Sequence, residues 1–470
     1  MTINLFDFQR EDVDKLQDQI SALIANEMGT GKTYEAIVRD QFIREHGDPL
    51  WKAPKRTLVV APLTVLSSWE DHYTELTDLP VVTIEPKNRK KSLEQFTDTN
   101  ANGVYLVHWE ALRVFPELKA IYWLHIIADE CHRAKNRKAQ QTLALKRLKS
   151  VHKTAMSGTP VVNRPDELWS ILNWLWPKEY GAFWKFYNRY VDFEIKYPQG
   201  YHDIKGPKNE DELQERLQPF MVRRLKKDVL KDLPDKYYTA VWVELEAKQR
   251  RAYDAMAKNM LAWIGEHEDT PLVAPVVIAQ LIRLQQFAIA SMDLVDNSPV
   301  DLDDIATLVE EKISYQMIEP SSKLDAVMQI LEDDPDDQFV IFSQFKQPLK
   351  LLAKRLEAKG ISYGLITGDV DNEARSETVR RFQAGGLQVV AGTVAAGGVG
   401  ITLTASSTVI FIDRSWSPAY NQQAEDRLHR IGQENAVQVI DILAKNTVDL
   451  GRMQRLELKW SWIRKLLGDT

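Results

Sequence analysis

Near its N-terminus the chain reads Leu23-Ile24-Ala25-Asn26-Glu27-Met28-Gly29-Thr30-Gly31-Lys32-Thr33. The first three residues form a short apolar run, and a helical pattern begins at the last residue. Glycines let backbone N–H groups approach phosphate oxygens, Lys32 can reach the β and γ oxygens of a nucleotide, and the Thr33 hydroxyl can ligate Mg²⁺. Asn26 stands where the strict P-loop pattern has glycine, so the match is incomplete. A strand, this loop and a helix in that order predict a nucleotide site in an α/β fold.

Apolar runs alternate with amphipathic stretches along both halves of the chain, which is the pattern of a parallel sheet covered by helices. Strands are predicted in the first half at 57–61, 104–107, 125–128 and 154–156, and in the second half at 339–342, 364–366, 388–391, 408–412 and 437–443. Helices are predicted between them, for example at 33–44 and 373–382. We therefore predict an α/β fold with two parallel-sheet lobes, and an active crevice at the C-terminal ends of their strands.

The region 166–320 between the lobes has few strand signals and carries apolar residues at helical spacing. Its many aromatic residues are interpreted as core, although aromatic rings can also stack on bases. The stretch 293–337 holds 14 acidic and 2 basic residues and is interpreted as a linker. The expected domains are a first lobe at 1–236 with a helical insertion at about 166–220, a helical insertion and acidic linker at 237–320, and a second lobe at 321–470 with a C-terminal helix at about 448–467.

The composition is that of a globular protein, with 44% hydrophobic and 27% charged residues in a chain of 470. The single cysteine, Cys131, excludes an intrachain disulfide and suits a reducing cytosol. The stretch 389–412 is uncharged, but its four glycines, four threonines and two serines indicate a strand, a loop and a strand rather than a bilayer helix. We therefore expect a cytoplasmic protein without a membrane span. The net charge of −7 argues against a generic polyanion binder, whereas basic clusters such as 87–91 and 223–227 permit a local surface that contacts phosphates.

The run Ile126-Ile127-Ala128-Asp129-Glu130-Cys131-His132 has the form of an apolar strand that ends in two acids. At such a position Asp129 would hold Mg²⁺ through its shell, and Glu130 would orient and deprotonate the attacking water. The alternative interpretation is that the two acids only cap the end of the strand.

Near the C-terminus the chain reads Gln423-Ala424-Glu425-Asp426-Arg427-Leu428-His429-Arg430. We predict a helix here, because two arginines three residues apart then lie on one face. Paired guanidinium groups suit the charge that develops on a transferred γ-phosphoryl group. The alternative is a solvated basic face. Since half of an ATP site stands near each end of the chain, the sequence predicts that two lobes close on one nucleotide.

These motifs, with Ser157-Gly158-Thr159-Pro160 between them, resemble those of superfamily 2 helicases and translocases, and more specifically those of the Swi/Snf-type family of DNA translocases. Further segments match that family in order, at 5–9, 59–62, 133–136, 223–229, 321–324, 341–345, 396–400 and 413–418. The resemblance implies two RecA-like lobes with helical insertions between them. It also implies ATP and Mg²⁺ as cofactors and double-stranded DNA as a partner.

The resemblance assigns roles to individual residues. Catalysis is assigned to Lys32, Asp129, Glu130, Gln423, Arg427 and Arg430. Binding of ATP is assigned to Gln9, Met28, Gly29, Thr30, Gly31, Lys32, Thr33 and Gly400, with Gln9 on the base, and binding of the metal to Thr33 and Asp129. Contacts to nucleic acid are assigned to Pro62, Ser67, Trp69, Arg133, Lys135, Ser343, Gln344 and Thr393.

Two positions depart from the family pattern. Ala395 stands where the family often has a basic residue, and Thr402 where it often has asparagine. This pattern is closer to the annealing-helicase branch than to nucleosome remodellers, and a lone motor of this size resembles bacterial or phage-encoded members. We therefore expect a monomer in the bacterial nucleoid or in a phage-infected cell.

The function that the resemblance implies is an ATP-dependent translocase, which hydrolyses ATP when it binds duplex DNA and remodels DNA or protein–DNA complexes. One alternative is a helicase that separates or anneals strands. The other is a nucleotide-switched subunit that recruits a nuclease or replication protein through the region 166–320.

Overall fold

The computed structural model describes residues 5–47, 51–97, 102–196, 201–266, 273–296, 313–397 and 400–469. The chain divides into two compact units. The first unit comprises Met1–Leu233, Ser417–Ala419 and Leu458–Thr470, and the second comprises Pro234–Trp416 and Tyr420–Glu457.

The first unit is built on a sheet of seven parallel strands in the order β3-β4-β2-β5-β6-β1-β9. Its strands are β1 Ser21–Ile24, β2 Arg56–Ala61, β3 Val81–Ile84, β4 Gly103–His108, β5 Tyr122–Ala128, β6 Lys149–Met156 and β9 Met221–Val222, and the separate antiparallel hairpin is β7 Val191–Lys196 with β8 Tyr201–Pro207. Its helices are α1 Asp7–Leu16, α2 Lys32–His46, α3 Leu66–Leu76, α4 Arg89–Thr97, α5 Gln140–Lys146, α6 Glu167–Leu175, α7 Phe183–Tyr190, α8 Glu210–Leu217 and α9 Lys226–Val229. Short 3₁₀ turns lie at Leu63–Val65, Pro86–Asn88, Trp109–Arg113, Pro116–Ala120 and Cys131–Ala134.

The second unit is built on a sheet of six parallel strands in the order β10-β17-β16-β13-β15-β14. Its strands are β10 Lys236–Val243, β13 Phe339–Ser343, β14 Tyr363–Ile366, β15 Val389–Thr393, β16 Thr408–Phe411 and β17 Val437–Ala444, and the separate antiparallel pair is β11 Ser291–Asp296 with β12 Ile313–Ile318. The remaining helices are α10 Ala247–Glu266, α11 Val273–Ile289, α12 Ser322–Asp333, α13 Lys346–Lys359, α14 Asn372–Gln383, α15 Val394–Gly397, α16 Pro418–Glu425 and α17 Val448–Leu467.

The predicted fold class is confirmed, because both sheets are parallel and helices alternate with their strands. Each predicted strand coincides with an observed strand, and the ends differ by a few residues. Both sheets have fully buried central strands such as β2 and β13. Such strands read as continuous apolar runs, which is why the sequence identified them. Within the described ranges, no helix combines the length and the apolar character that a bilayer span requires.

The region 166–320 is less helical than the sequence predicted, because β7, β8, β10, β11 and β12 lie in it. The strand β7 reads Val-Asp-Phe-Glu-Ile-Lys, which alternates apolar and charged residues with the two-residue period of a strand. The strand β10 is the edge of the second sheet and most of its residues are exposed, although its second half, Ala240-Val241-Trp242-Val243, is an apolar run that the prediction omitted.

The last residues of α17 belong to the first unit, which differs from the predicted second lobe at 321–470. Ile463, Leu466 and Leu467 recur at helical spacing and are buried in the core of the first unit. Beyond the helix, Asp469 accepts hydrogen bonds from Arg223 at 2.9 Å and 2.6 Å. The sequence predicted the extent of the helix, but periodicity alone does not show which core a helix end joins.

A buried polar network lies against the first sheet, centred on Asp40 of α2. His125 Nδ1 lies 2.8 Å from Asp40 Oδ1, and His125 Nε2 lies 2.7 Å from Thr154 Oγ1. Arg44 Nε donates to Asp40 Oδ2 at 2.9 Å. Burial lowers the pKa of His125 to about 4, although its contact with Asp40 opposes that shift. The imidazole is therefore neutral in the folded chain near neutral pH.

We predict that His125 makes the first unit sensitive to mild acid. An unfolded histidine titrates near ~6.5, so the unfolded state binds the proton first and stability is lost as the pH falls from about 6.5 towards 4. Between pH 7 and pH 5 the free energy of unfolding of the wild type should fall by ~2 kcal/mol more than that of His125→Asn. Urea unfolding followed by tryptophan fluorescence measures the difference. The exposed-site variant His46→Asn should follow the wild type, and equal slopes for His125→Asn and wild type would contradict the prediction.

Candidate functional site

The P-loop lies between β1 and α2 and is shaped by two glycines in the left-handed region. Gly29 and Gly31 have φ angles of 77° and 83°, which glycine adopts at little cost. A Cβ added at Gly31 would lie 2.5 Å from Gln9 Nε2, so the close approach also favours glycine. Gln9, the predicted contact to the base, donates from Nε2 to the carbonyl oxygen of Thr30 at 2.9 Å. The glutamine is therefore seated on the loop itself.

Lys32 begins α2 and lies near the acid pair that follows β5. Its Nζ donates to the carbonyl oxygen of Glu27 at 3.0 Å. Burial lowers the pKa of Lys32, and the negative charges of Glu130 and Asp129 oppose that shift. Thr33 is half-buried on the first turn of the same helix. The residues predicted to contact phosphate and metal are thus grouped at one end of the first sheet.

Asn26 explains why the loop departs from the strict P-loop pattern. Its side chain is fully buried, and Nδ2 donates to Asp12 Oδ2 at 2.8 Å and to Glu35 Oε1 at 3.0 Å. Burial and the charge of Asp12 raise the pKa of Glu35 to about 8. A glycine could not bridge these two acids, so the asparagine connects α1, the loop and α2. Nothing in the sequence pattern pointed to this contact.

The acid pair follows β5, and its geometry is tightly held. Asp129 Oδ1 accepts the backbone N–H of Glu130 at 2.8 Å, and Oδ2 accepts the indole N–H of Trp69 at 3.0 Å. Burial raises the pKa of Asp129 to about 6, and the charge of Glu130 adds to that rise. Glu130 has a φ of 47°, a left-handed conformation that is uncommon outside glycine. The backbone strain and the raised pKa are both features that cluster at functional sites.

The segment after β6 is tied to the acid pair through a hydroxyl and an imidazole. Ser157 Oγ donates to Glu130 Oε2 at 3.4 Å, and His132 Nδ1 lies 3.2 Å from the same oxygen. His132 Nδ1 also lies 3.0 Å from Ser157 Oγ. The carboxylate that is predicted to activate water therefore contacts the Ser157-Gly158-Thr159-Pro160 motif. The sequence placed these motifs in order but did not show that they touch.

The predicted metal ligands fit Mg²⁺ by their chemistry. Thr33 offers a hydroxyl oxygen and Asp129 a carboxylate oxygen, and Mg²⁺ takes oxygen ligands, keeps several waters and uses one or two carboxylates together with substrate phosphates. In the part of the chain that the structure describes, no group of three or more His, Cys, Asp or Glu side chains forms a site made of protein ligands alone. The arrangement suits a metal that arrives with a nucleotide.

The nucleic-acid residues predicted in the first unit have different surroundings. Ser67 is exposed on the first turn of α3, whereas Pro62 is buried. Trp69 is only 1% exposed and points inwards to Asp129. Arg133 Nη1 donates to Glu110 Oε1 at 2.9 Å, and Lys135 lies 3.8 Å from Glu167. Of these residues, Trp69 is the one whose buried position places it beside the acid pair instead of at a surface.

The arginine pair of the second unit lies beyond a helix, and the predicted helix across it is wrong. Helix α16 ends at Glu425, and Arg427 and Arg430 lie in the turns that follow. Both still converge, because Arg427 Nη1 and Arg430 Nη1 donate to the carbonyl oxygen of Ile401 at 3.3 Å and 3.4 Å. Gly400, just before that carbonyl, has a φ of 73°. The predicted nucleotide residues of this unit therefore meet at one loop.

The last residue of α16, Glu425, is held by three side-chain donors. Its carboxylate accepts hydrogen bonds from Lys236 at 2.8 Å, from Arg414 at 2.7 Å and from the Tyr238 hydroxyl at 2.9 Å. Burial disfavours the charge, but Lys236 and Arg414 lower the pKa of Glu425 to about 2. Gln423 is 3% exposed, and its Nε2 makes no hydrogen bond to any residue in the described ranges.

The nucleic-acid residues predicted in the second unit lie at the C-terminal ends of β13 and β15. Ser343 and Thr393 are register partners, and both are buried. Ser343 Oγ donates to Asp413, and the backbone N–H of Gln344 donates to the same carboxylate at 3.3 Å. Thr393 Oγ1 accepts the backbone N–H of Ala396 at 3.3 Å. Ser343 and Thr393 thus shape the strand ends, while Gln344 is half-buried beside them.

Comparison with known proteins bears on both units. The chain matches the SNF2-related domain over residues 12–288 and the helicase conserved C-terminal domain over residues 322–432. It is 28% identical to mouse chromodomain-helicase-DNA-binding protein 6 over 96% of this chain and 17% of that protein. It is 26% identical to the transcription regulatory protein SNF2 of Saccharomyces cerevisiae over 93% of this chain and 26% of that protein. The chain therefore spans about a quarter or less of the length of these two relatives.

A solved structure, the Sulfolobus solfataricus SWI2/SNF2 ATPase core in complex with dsDNA, is 26% identical, with 99% of this chain and 94% of that chain covered and a TM-score of 0.44. The match to the SNF2-related domain covers more than half of the chain. It agrees with the resemblance that the sequence motifs indicated. This chain belongs to the SNF2-related family, with a helicase C-terminal domain in its second unit.

Proposed function

We propose that this chain is an ATPase stimulated by double-stranded DNA, and that it uses hydrolysis to move along the duplex without separating its strands. The observation that carries the ATPase proposal lies in the first unit. The P-loop lysine, a threonine hydroxyl and a pair of acids, of which Glu130 has a left-handed backbone, are grouped at the end of one sheet, and the charges of Glu130 and Asp129 act on Lys32. Family membership and the helicase conserved C-terminal domain support the same class of reaction.

The residues of the first unit would divide the work of hydrolysis among them. Lys32 would exchange the Glu27 carbonyl for the β and γ oxygens of ATP, because a charged phosphate is the stronger acceptor. Thr33 and Asp129 would hold Mg²⁺, which supplies charge neutralisation on the phosphates when it is bound. Glu130 would orient the attacking water and accept its proton while the bond from the γ-phosphorus to the ADP oxygen breaks.

We assign to Arg427 and Arg430 the stabilisation of negative charge on the transferred phosphoryl group. Both guanidinium groups are held on the Ile401 carbonyl by long hydrogen bonds of 3.3 Å and 3.4 Å. Phosphate oxygens bind guanidinium more strongly than a neutral carbonyl does, so this exchange is favourable. Gln423 would support Arg427, whose Nε donates to the Gln423 carbonyl oxygen at 3.2 Å.

Contacts to the duplex are proposed for groups of each unit that are at least partly accessible. The candidates are the exposed Ser67 on α3 and three half-buried residues, Arg133 and Lys135 after the acid pair and Gln344 after β13. Phosphate contacts give affinity with little sequence preference and make it fall steeply with salt. A conformational change in either unit during the ATP cycle would then shift the contacts of that unit along the DNA backbone.

We predict that Arg430→Ala abolishes turnover without abolishing ATP binding. An arginine that stabilises the transferred phosphoryl group is worth about 10³-fold or more in turnover, whereas ground-state binding rests mainly on the P-loop. Steady-state phosphate release gives the first quantity, and titration with a fluorescent ATP analogue gives the second, which should stay within about threefold of wild type.

Arg380→Ala is the matched control, because Arg380 is an exposed arginine of the same unit that pairs only with its neighbour Glu377 in the described structure. It should hydrolyse ATP at the wild-type rate. If Arg430→Ala kept more than about a tenth of wild-type turnover, the role assigned to Arg430 would be wrong.

We predict that duplex DNA raises the rate of ATP hydrolysis and that the protein displaces the third strand of a triplex but leaves a long forked duplex paired. Both assays use the same protein, ATP and Mg²⁺, with Glu130→Gln as the inactive control. Turnover that does not change with DNA at low salt would contradict stimulation. Efficient separation of the fork would favour the helicase alternative, and closure of a protein-coated bubble would favour the annealing alternative.

A further inference from the structure

The side chain of Trp69 is buried between α3 and the acid pair. It is 1% exposed, and its Nε1 donates to Asp129 Oδ2 at 3.0 Å. Its ring stacks with that of Tyr73 on the same helix, with centroids 6.0 Å apart. The Tyr73 hydroxyl donates to Asp40 Oδ2 at 3.3 Å, which fixes the following turn of α3 to the buried polar network. The indole therefore has a defined position and a single charged acceptor.

A second indole contacts the same aspartate in a different way. Trp109 is fully buried, and its Nε1 donates to the backbone carbonyl oxygen of Asp129 at 2.9 Å. The main chain of Asp129 is thus held by Trp109 and its carboxylate by Trp69. Since Oδ1 also accepts the Glu130 N–H, each carboxylate oxygen has one donor and keeps lone pairs for another ligand.

We propose that Trp69 is a positioning residue that sets the orientation of the Asp129 carboxylate towards Mg²⁺ and makes that orientation depend on α3. Mg²⁺ demands near-ideal octahedral geometry, so a carboxylate that is free to rotate binds it less well. Removal of the indole N–H leaves a buried carboxylate oxygen without its donor, and a hydrogen bond to a charged group accounts for roughly tenfold in an equilibrium constant.

The dependence on α3 rests on the proposed function, in which the exposed first turn of this helix contacts DNA. Ser67 and Ser68 are exposed there, and Trp69 follows them directly in the sequence. Because the indole already has a defined position on this turn, a phosphate bound to the turn stabilises the arrangement that Mg²⁺ also requires. Coupling of two ligands through one element is reciprocal.

The test replaces the indole and measures nucleotide binding without turnover. A fluorescent N-methylanthraniloyl ADP, excited directly, is titrated into wild type, Trp69→Phe and Trp109→Phe at a series of Mg²⁺ concentrations and without DNA. Mg²⁺ should raise the affinity for ADP in both proteins. We expect Trp69→Phe to need roughly tenfold more Mg²⁺ than wild type to reach half of that rise, and to bind ADP with wild-type affinity when EDTA is present. Trp109→Phe also loses an indole N–H, but one that donates to the main chain of Asp129 and not to its carboxylate, so this variant should keep the wild-type Mg²⁺ dependence.

Identical Mg²⁺ dependence for Trp69→Phe and wild type would overturn the positioning role. If Trp69→Phe does not fold, judged by circular dichroism, benzothienylalanine at position 69 keeps the ring shape and removes only the N–H donor, and the same result is expected. A rise in the Mg²⁺ requirement of Trp109→Phe equal to that of Trp69→Phe would reveal a general loss of packing and would also overturn the proposal.

A second arm repeats the titration with saturating duplex DNA. In wild type the DNA should lower the Mg²⁺ concentration required, and in Trp69→Phe this effect should be lost although DNA affinity stays within about twofold. Failure of DNA to bind wild type at all would count against the proposed function and leave the DNA-free result standing. DNA that binds both proteins and shifts the Mg²⁺ dependence equally would overturn the link through α3.

Discussion

Two acids stand side by side at the end of β5, and the first unit is organised around the cost of keeping them there. Burial raises the pKa of Asp129 and the charge of Glu130 adds to it, so the pair would be unfavourable without donors and a nearby cation. The compensation comes from several elements: Lys32 from the start of α2, the indole of Trp69 from α3, and the Ser157 hydroxyl after β6. The P-loop, α2 and the later motifs therefore all contribute to stabilising this pair of acids.

The same requirement recurs at buried acids of the second unit. Asp449 accepts from Lys323 at 2.7 Å and from Arg452 at 2.7 Å, all nearly inaccessible, and Glu425 lies between Lys236 and Arg414. Taking such charges out of water costs about as much as their attraction returns, so buried pairs are poor sources of stability. Their effect here is positional: the pairing of Glu425 fixes the last residue of α16, which the turns with the two arginines follow directly.

The sequence shows the periodicity of an element but does not show which residues it packs against or pairs with. Strands such as β4 and β13 were found because an unbroken apolar run has few other interpretations, and the motif order identified the family. The helix predicted across Arg427 was wrong because the residues after Glu425 form turns, in which the Arg427 N–H donates to the Ala424 carbonyl three residues back, and the spacing of two arginines does not distinguish such turns from a helix. Trp69 was assigned to nucleic acid by its place in a family motif, and the fold shows that its indole donates to Asp129. The end of α17 joins the first core for a reason of the same kind, since an apolar stripe does not specify its partner.

Cations in this chain differ by the acceptors that hold them, and the difference separates structural from reactive roles. Lys236, Arg414 and Lys323 bind carboxylates, which are strong partners that a ligand would not displace. Lys32 and Arg430 instead donate to the main-chain carbonyls of Glu27 and Ile401. A neutral carbonyl keeps a cation in place but binds it less strongly than a phosphate oxygen does. The exchange of the carbonyl for a phosphate oxygen therefore lowers the free energy. A loop carbonyl in that position keeps a phosphate-binding side chain ordered, while the charges of Glu130 and Asp129 act on Lys32 and that of Asp426 acts on Arg430.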